Sequence, residues 1–185
     1  MSDTLKKLPE AQLTHVGYLV RDMERMIDFY TRILGLVLTD RGPYYRGGHI
    51  AFLSRNPEEH HQLVFATGRS ETMRTTINQV SFIVSGLEDL RRFYALLVEE
   101  KVEGMDPRNH GNAWTIYFLD PEGNRIELYT PSPWYVHQPY AKVLDLTEPA
   151  ETIMEKTLAM IKDDPTFCSR EQWSAELKAK IQAAG

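Results

Sequence analysis

The sequence predicts an α+β fold: two β-α-β-β-β modules forming a curved mixed sheet around a concave site, with helices added at the C-terminus. Three observations predict it. Helix and strand periods alternate over residues 12–131, that order of elements occurs twice, and the stretch 132–185 breaks the pattern.

Taken in order, "LTHVGYLV" (Leu13–Val20) alternates apolar and polar residues as a half-buried strand does. "RDMERMIDFYTRILGL" then places Met23, Met26, Ile27, Tyr30, Ile33 and Leu34 on one face of a helix. Gly35 ends it, and "LVLTD" turns the chain back as a strand. "HIAFLS" (His49–Ser54) and "HQLVFA" (His61–Ala66) flank the turn residues "RNPEE" and read as a hairpin. In the second module "INQVSFIV" (Ile77–Val84) is a strand. "SGLEDLRRFYALLVEE" is a helix with Ser85 placed to cap it, and "WTIYFLDPEGNRIELYT" is a hairpin turning through "DPEGN". At an offset of 64, Val16 matches Val80, Val20 matches Val84, Glu24 matches Glu88, and Phe29–Tyr30 match Phe93–Tyr94. The modules are bounded at about 12–68 and 77–131. Beyond them, "PSPWYVHQPYAKVLDLTEP" reads as an extended, proline-punctuated segment. Two amphipathic helices follow, separated by Pro165. Their stripes, Ile153–Leu158–Ile161 and Trp173–Leu177–Ile181, are expected to dock on this chain or on a second copy.

Composition narrows the function classes. A hydrophobic fraction of 42% with 25% charged residues is ordinary for a globular protein. The net charge of −5 carries no basic block, so neither nucleic acid nor a membrane surface is an expected partner. No apolar run is long enough to span a bilayer. "MSDTLKKLPEAQ" has no apolar core of a signal peptide, and the single cysteine, Cys168, suits a reducing compartment, so a cytoplasmic location is expected.

Four polar residues occupy equivalent places in the repeat: His15 with Gln79, and Gln62 with Glu127. His15 to Gln62 is 47 residues and Gln79 to Glu127 is 48. Each sits among aliphatic or aromatic neighbours, where an unpaired polar group is costly. Their symmetric placement suggests that they converge on a metal. The adjacent His60 and His61 cannot both face one cavity if the strand is regular, since neighbouring side chains alternate. Parity with Gln62 favours His60.

"THVGYLVRDMERMIDFYTRILGL", the "HH" pair and "HGNAWTIYFLDPEGNRIELY" resemble the vicinal oxygen chelate superfamily of glyoxalases, bleomycin-resistance proteins and type I extradiol dioxygenases, over about residues 12–131. Within it the chain is most similar to extradiol ring-cleaving dioxygenases such as those acting on catechol and biphenyl-2,3-diol. The resemblance implies a ferrous iron, or Mn(II), held by His15 and Glu127, with Gln79 standing where the family has a second histidine. It implies His61 as an acid/base beside the oxygen site, Tyr117 as a hydrogen-bond donor to a catechol-type substrate, and His110 as an assisting histidine. His60 and Gln62 remain as further residues lining the site. The implied ligands are an aromatic diol and dioxygen, in a homodimer or higher homo-oligomer. Two other readings stay open: a glyoxalase-like isomerase or lyase using Ni, Co or Zn with Gln62 as a fourth ligand, and a bleomycin-resistance-type protein that binds a small molecule without catalysis.

Overall fold

A computed structural model describes residues 11–184. The expectation about the N-terminal segment falls mostly on residues 1–10, outside the described residues. The first module runs β1 (Val16–Val20), α1 (Met23–Leu34), β2 (Val37–Pro43), β3 (His49–Ser54) and β4 (Leu63–Thr67). The second runs β5 (Val80–Ile83), α2 (Leu87–Glu99), β6 (Asp106–Asn109), β7 (Ala113–Leu119) and β8 (Arg125–Pro131). Short strands β9 (Trp134–Tyr135) and β10 (Lys142–Val143), helix α3 (Ala150–Ile161), β11 (Cys168–Ser169) and helix α4 (Arg170–Ala184) complete the chain. The α+β class and both repeats are as the sequence predicts. The strands form two principal sheets, however, and not one continuous surface: four strands ordered β1-β4-β3-β2, and five ordered β10-β6-β7-β8-β5.

Why the sheets stay apart is visible in α1. Its start is fixed by Asp22, whose carboxylate accepts from the Arg25 backbone N–H, and its end by Gly35 at φ 67°. The buried face includes Met26, Phe29, Tyr30 and Ile33. Tyr30 lies 5.2 Å from the Phe65 ring of β4, while Phe29 lies 6.5 Å from the Phe118 ring of β7. One helix thus fills the space between the two sheets. Tyr18, Val20, Leu53 and Phe65 from the first sheet share a core cluster with Ile116, Phe118, Ile126 and Leu128 from the second. Because strand side chains alternate, the other face of each sheet looks away from that core. Gly17 and Ser81 are exposed there, and Leu19 and Ile83 are 46% and 64% exposed.

The turn "DPEGN" does more than reverse the chain. Asp120 accepts from the Tyr30 hydroxyl at 3.0 Å and from the Asn124 side chain at 2.7 Å. Glu122 accepts from the backbone N–H groups of Arg21 and Asp22 and pairs with Arg69. These buried contacts tie the second module to the start of α1.

Several sequence-level details are corrected. Gly86, and not Ser85, occupies the start of α2, with no side-chain cap. β4 begins at Leu63 and β5 at Val80, so His61, Gln62 and Gln79 precede their strands. In α3 the buried positions are Ile153, Thr157 and Ile161, and Leu158 is 36% exposed. Thr157 instead accepts from the side chains of Asn109 and Trp114, which anchors α3 on the second module. In α4, Trp173 stacks on Tyr135 with centroids 5.2 Å apart, whereas Ile181 is 63% exposed. Among the described residues no helix is long and apolar enough to cross a membrane.

Candidate functional site

The polar residues of the repeat gather into two clusters, one per module. On the first, His15 lies just ahead of β1 and is exposed. Its Nδ1 is 2.9 Å from the Thr14 hydroxyl, so Nε2 is the nitrogen left for a ligand. The His61 ring stands beside it, with centroids 4.4 Å apart. His61 Nδ1 meets His60 Nδ1 at 2.9 Å, and His60 Nε2 meets the Asp40 carboxylate at 2.8 Å. A carboxylate only accepts, so His60 Nε2 carries the proton in that contact. With His60 neutral, its Nδ1 accepts from His61 Nδ1–H and leaves the His61 Nε2 lone pair bare. Burial first lowers the His61 imidazole from its ordinary value, and a positive charge on His15 or His60 would lower it further.

The parity argument for His60 therefore fails for a local reason. Both histidines sit in the turn before β4 and not on a regular strand, so alternation does not apply to them. His61 is the one beside His15, and His60 backs it from the side of Asp40. Gln62 is engaged elsewhere: its Oε1 accepts from the Arg55 backbone N–H at 2.9 Å.

The second cluster is built around Glu127, which is 9% exposed. Gln79 Nε2 donates to Glu127 Oε2 at 2.7 Å, the Ser81 hydroxyl donates to the same oxygen, and the Thr115 hydroxyl donates to Oε1 at 3.3 Å. The register aligns Ser81, Glu127, Tyr117 and Asp106 as one row across β5, β8, β7 and β6. The Tyr117 hydroxyl lies 3.2 Å from His110 Nε2, while His110 Nδ1 lies 2.7 Å from the Tyr140 carbonyl. A carbonyl can only accept, which places the proton on Nδ1. Neutral His110 then accepts at Nε2, so Tyr117 donates to it. Burial first, then the Glu127 carboxylate, pushes the Tyr117 hydroxyl up to about 12, which keeps it a donor at neutral pH.

His110 is held from outside the repeat. Gln138 donates to its backbone carbonyl, and β10 pairs with β6 beside it. Gly111, at φ 72°, leaves room for Val136 and Ile161, which a Cβ would crowd. This support from the segment 132–161 went unseen in the sequence, where the proline-rich stretch reads only as surface chain.

A divalent cation suits the donor set of imidazole, carboxylate and amide. Within one chain, however, that set is divided. No hydrogen bond, ring contact or ion pair joins His15, His60 or His61 to Gln79, Tyr117 or Glu127 among the described residues. No group of three or more histidine, cysteine, aspartate or glutamate side chains is placed there to hold a metal. A groove of about 780 Å³ runs between the modules past Leu36, Arg55, Gln62, Phe82 and Phe93. Neither His15 nor Glu127 lines it.

Comparison with known proteins agrees with this architecture. The family model described as the Glyoxalase/Bleomycin resistance protein/Dioxygenase superfamily matches residues 12–128. The metallothiol transferase FosB of Staphylococcus haemolyticus is 32% identical over 126 residues, covering 65% of this chain and 84% of that protein. Biphenyl-2,3-diol 1,2-dioxygenase 3 of Rhodococcus globerulus is 26% identical over 122 residues, covering 63% of this chain and 62% of its own length. Among solved structures, a variant of FosX from Listeria monocytogenes, complexed with Mn(II) and 1S,2S-dihydroxypropylphosphonic acid, aligns with a TM-score of 0.53 at 20% identity, covering 65% of this chain and 92% of that one. A domain from Frankia sp. aligns at 0.57 and 21% identity, covering 67% and 100%. At these identities the structures share the fold.

Proposed function

The chain belongs to the Glyoxalase/Bleomycin resistance protein/Dioxygenase superfamily, and from that premise we propose a metal-dependent enzyme whose site is completed between two copies of the chain. Its substrate is a small molecule presenting two adjacent oxygens. The observation that carries this reading is the division of the site. His15 and His61 stand on the outer side of one module, Glu127 and Tyr117 on the outer side of the other, and neither group meets its complement among the described residues. A two-fold related pair of chains would bring each His15 group against the other copy's Glu127 group. When bound, a divalent cation held by His15 from one copy and by Glu127, with Gln79, from the other would act as a Lewis acid on the two substrate oxygens.

Among reactions of this superfamily, extradiol ring cleavage suits the surrounding residues best. His61 offers a bare Nε2 to take a proton from a catechol hydroxyl, relayed through His60 to Asp40. Tyr117, its proton directed to His110, presents its phenolic oxygen as an acceptor for a substrate hydroxyl. Glu127 has its carboxylate aimed by three donors. A second reading, thiol transfer to a small molecule, is favoured by the 32% identity to FosB.

Two measurements test these statements. Protein purified without chelators is expected to carry a divalent metal, to take up oxygen with a catechol panel and to release a yellow ring-fission product. Thiol consumption without oxygen uptake would instead establish the second reading, and absence of any bound metal would overturn both. Mixing His15→Ala with Glu127→Ala protein tests the two-copy site. Each variant alone is expected to lose the metal, while a refolded mixture regains part of it, because one site of each mixed pair is intact. No recovery, with pairing demonstrated, would place the whole site in one chain.

A further inference from the structure

The outer face of the second module carries a feature that the metal site does not use. Arg125 and Glu127 are two residues apart on β8 and therefore share a face. The Arg125 guanidinium lies over the Tyr117 ring, 4.0 Å from its centroid. Its nearest carboxylate, Asp106, is 3.8 Å away, outside hydrogen-bond reach, and no described residue accepts a hydrogen bond from it. Asp106 is committed to Arg108 at 2.7 Å. Two guanidiniums thus share one carboxylate, in the same row as Tyr117 and Glu127. The side chains of Arg108, Arg125 and Asp106 are 36%, 40% and 39% exposed, so the group is open to a ligand.

We infer that Arg125, supported by Arg108, forms a subsite for an anionic group of the substrate, a carboxylate by preference. This rests on the proposed function only for the rest of the substrate. Contact with the face of Tyr117 holds the guanidinium in place, and its N–H groups, which no described residue accepts from, offer the fork that a planar two-oxygen anion matches with two parallel hydrogen bonds. Holding it there beforehand removes part of the ordering cost of binding. A substrate held here reaches Tyr117 and Glu127 with its other end. Arg125 and Arg108 would then decide which diols are accepted, while Asp106 competes with the ligand for Arg125.

The test is equilibrium binding of benzoate, phenylphosphonate, catechol and a set of dihydroxybenzoates to the full-length, metal-loaded protein, with turnover followed in parallel. The best dihydroxybenzoate is expected to bind about 10- to 100-fold tighter than catechol, the worth of a charge-assisted pair in a partly buried setting. Arg125→Met should erase that ratio, Arg125→Lys should keep part of it, and Asp106→Asn should widen it. A wild-type ratio near one would overturn the subsite. So would a ratio unchanged in Arg125→Met protein whose circular dichroism and unfolding match the wild type. If Arg125→Met fails to fold, the opposite directions expected of Arg125→Lys and Asp106→Asn decide. Tighter binding of phenylphosphonate than of benzoate would overturn the carboxylate preference. Binding of benzoate that depends on Arg125, with no turnover of any diol, would sink the ring-cleavage reading and leave the subsite standing. Turnover of diols without a carboxylate preference would do the reverse.

Discussion

Single residues in this chain are most informative where burial and hydrogen bonding disagree. Tyr18 is 6% exposed, and its hydroxyl makes no well-aligned hydrogen bond among the described residues, the Tyr30 hydroxyl beside it being turned to Asp120. An unpartnered buried hydroxyl costs free energy that a ring alone would not, so Tyr18→Phe is expected to stabilise by up to about 1 kcal/mol, measured by urea unfolding. Asp120 makes the opposite case, being richly bonded yet buried. Desolvation raises its pKa above the ordinary 3.8 in spite of donors from Asn124, Glu122 and Tyr30. A raised folded-state pKa means that the fold favours the protonated form. The contribution is fully present below the unfolded pKa and is lost as pH rises through the folded one. The difference in stability between wild type and Asp120→Asn should therefore move against the wild type from about pH 4 upward. A flat difference would show that burial and the hydrogen bonds cancel, and a difference moving toward the wild type that the hydrogen bonds dominate. At the site, Tyr117→Phe removes the hydroxyl that His110 orients. A loss of about tenfold or more in kcat with the metal retained is expected, read by steady-state kinetics beside metal analysis.

At the scale of elements, the segment after β8 is the strongest structural surprise, and its effect on the site can be measured. Gly111→Ala would bring a Cβ to 2.6 Å from Val136 Cγ2 at a positive φ of 72°. The expected destabilisation is about 2 kcal/mol or more, from the left-handed backbone together with overpacking. Because His110 is the preceding residue, the variant should also lose activity beyond its loss of stability, assayed well below its Tm. What was legible in the sequence follows the same division. Periodicity located α1 to within two residues at each end, because its apolar face is wide and Asp22 and Gly35 mark its limits. The repeat identified His15 and Glu127 as equivalents of Gln79 and Gln62, because a polar residue in an apolar strand context stands out without any structure. β6 was missed since Asp106–Asn109, "DPRN", has no strand alternation and is held by pairing with β7 and β10. Ser85 was expected to cap α2, but local propensity does not decide a start where Gly86 takes the extended position. Parity gave no guide to His60 and His61, because it presumes a strand that begins only at Leu63.

At the scale of the whole molecule, the sequence indicated that the matched polar residues converge but not that one chain would keep them apart. Convergence depends on whether two modules meet at their outer faces or are separated by a shared helix layer. Here Phe29 and Tyr30, adjacent on α1, pack against opposite sheets, and that single arrangement turns both polar faces outward. Exposure of Leu19 and Ile83 on those faces is then apolar surface that a second copy can cover. If the metal joins donors from two copies, its binding and the pairing of chains are linked equilibria, each strengthening the other. Apparent metal affinity should fall as the protein is diluted below its pairing constant, and sedimentation should show metal shifting the population toward pairs. His15→Ala protein should keep whatever metal-independent pairing it has and lose the metal-dependent part. A site contained in one chain would give a metal affinity independent of protein concentration. Titration of metal at a series of protein concentrations spanning the pairing constant therefore separates the two architectures without reference to any substrate.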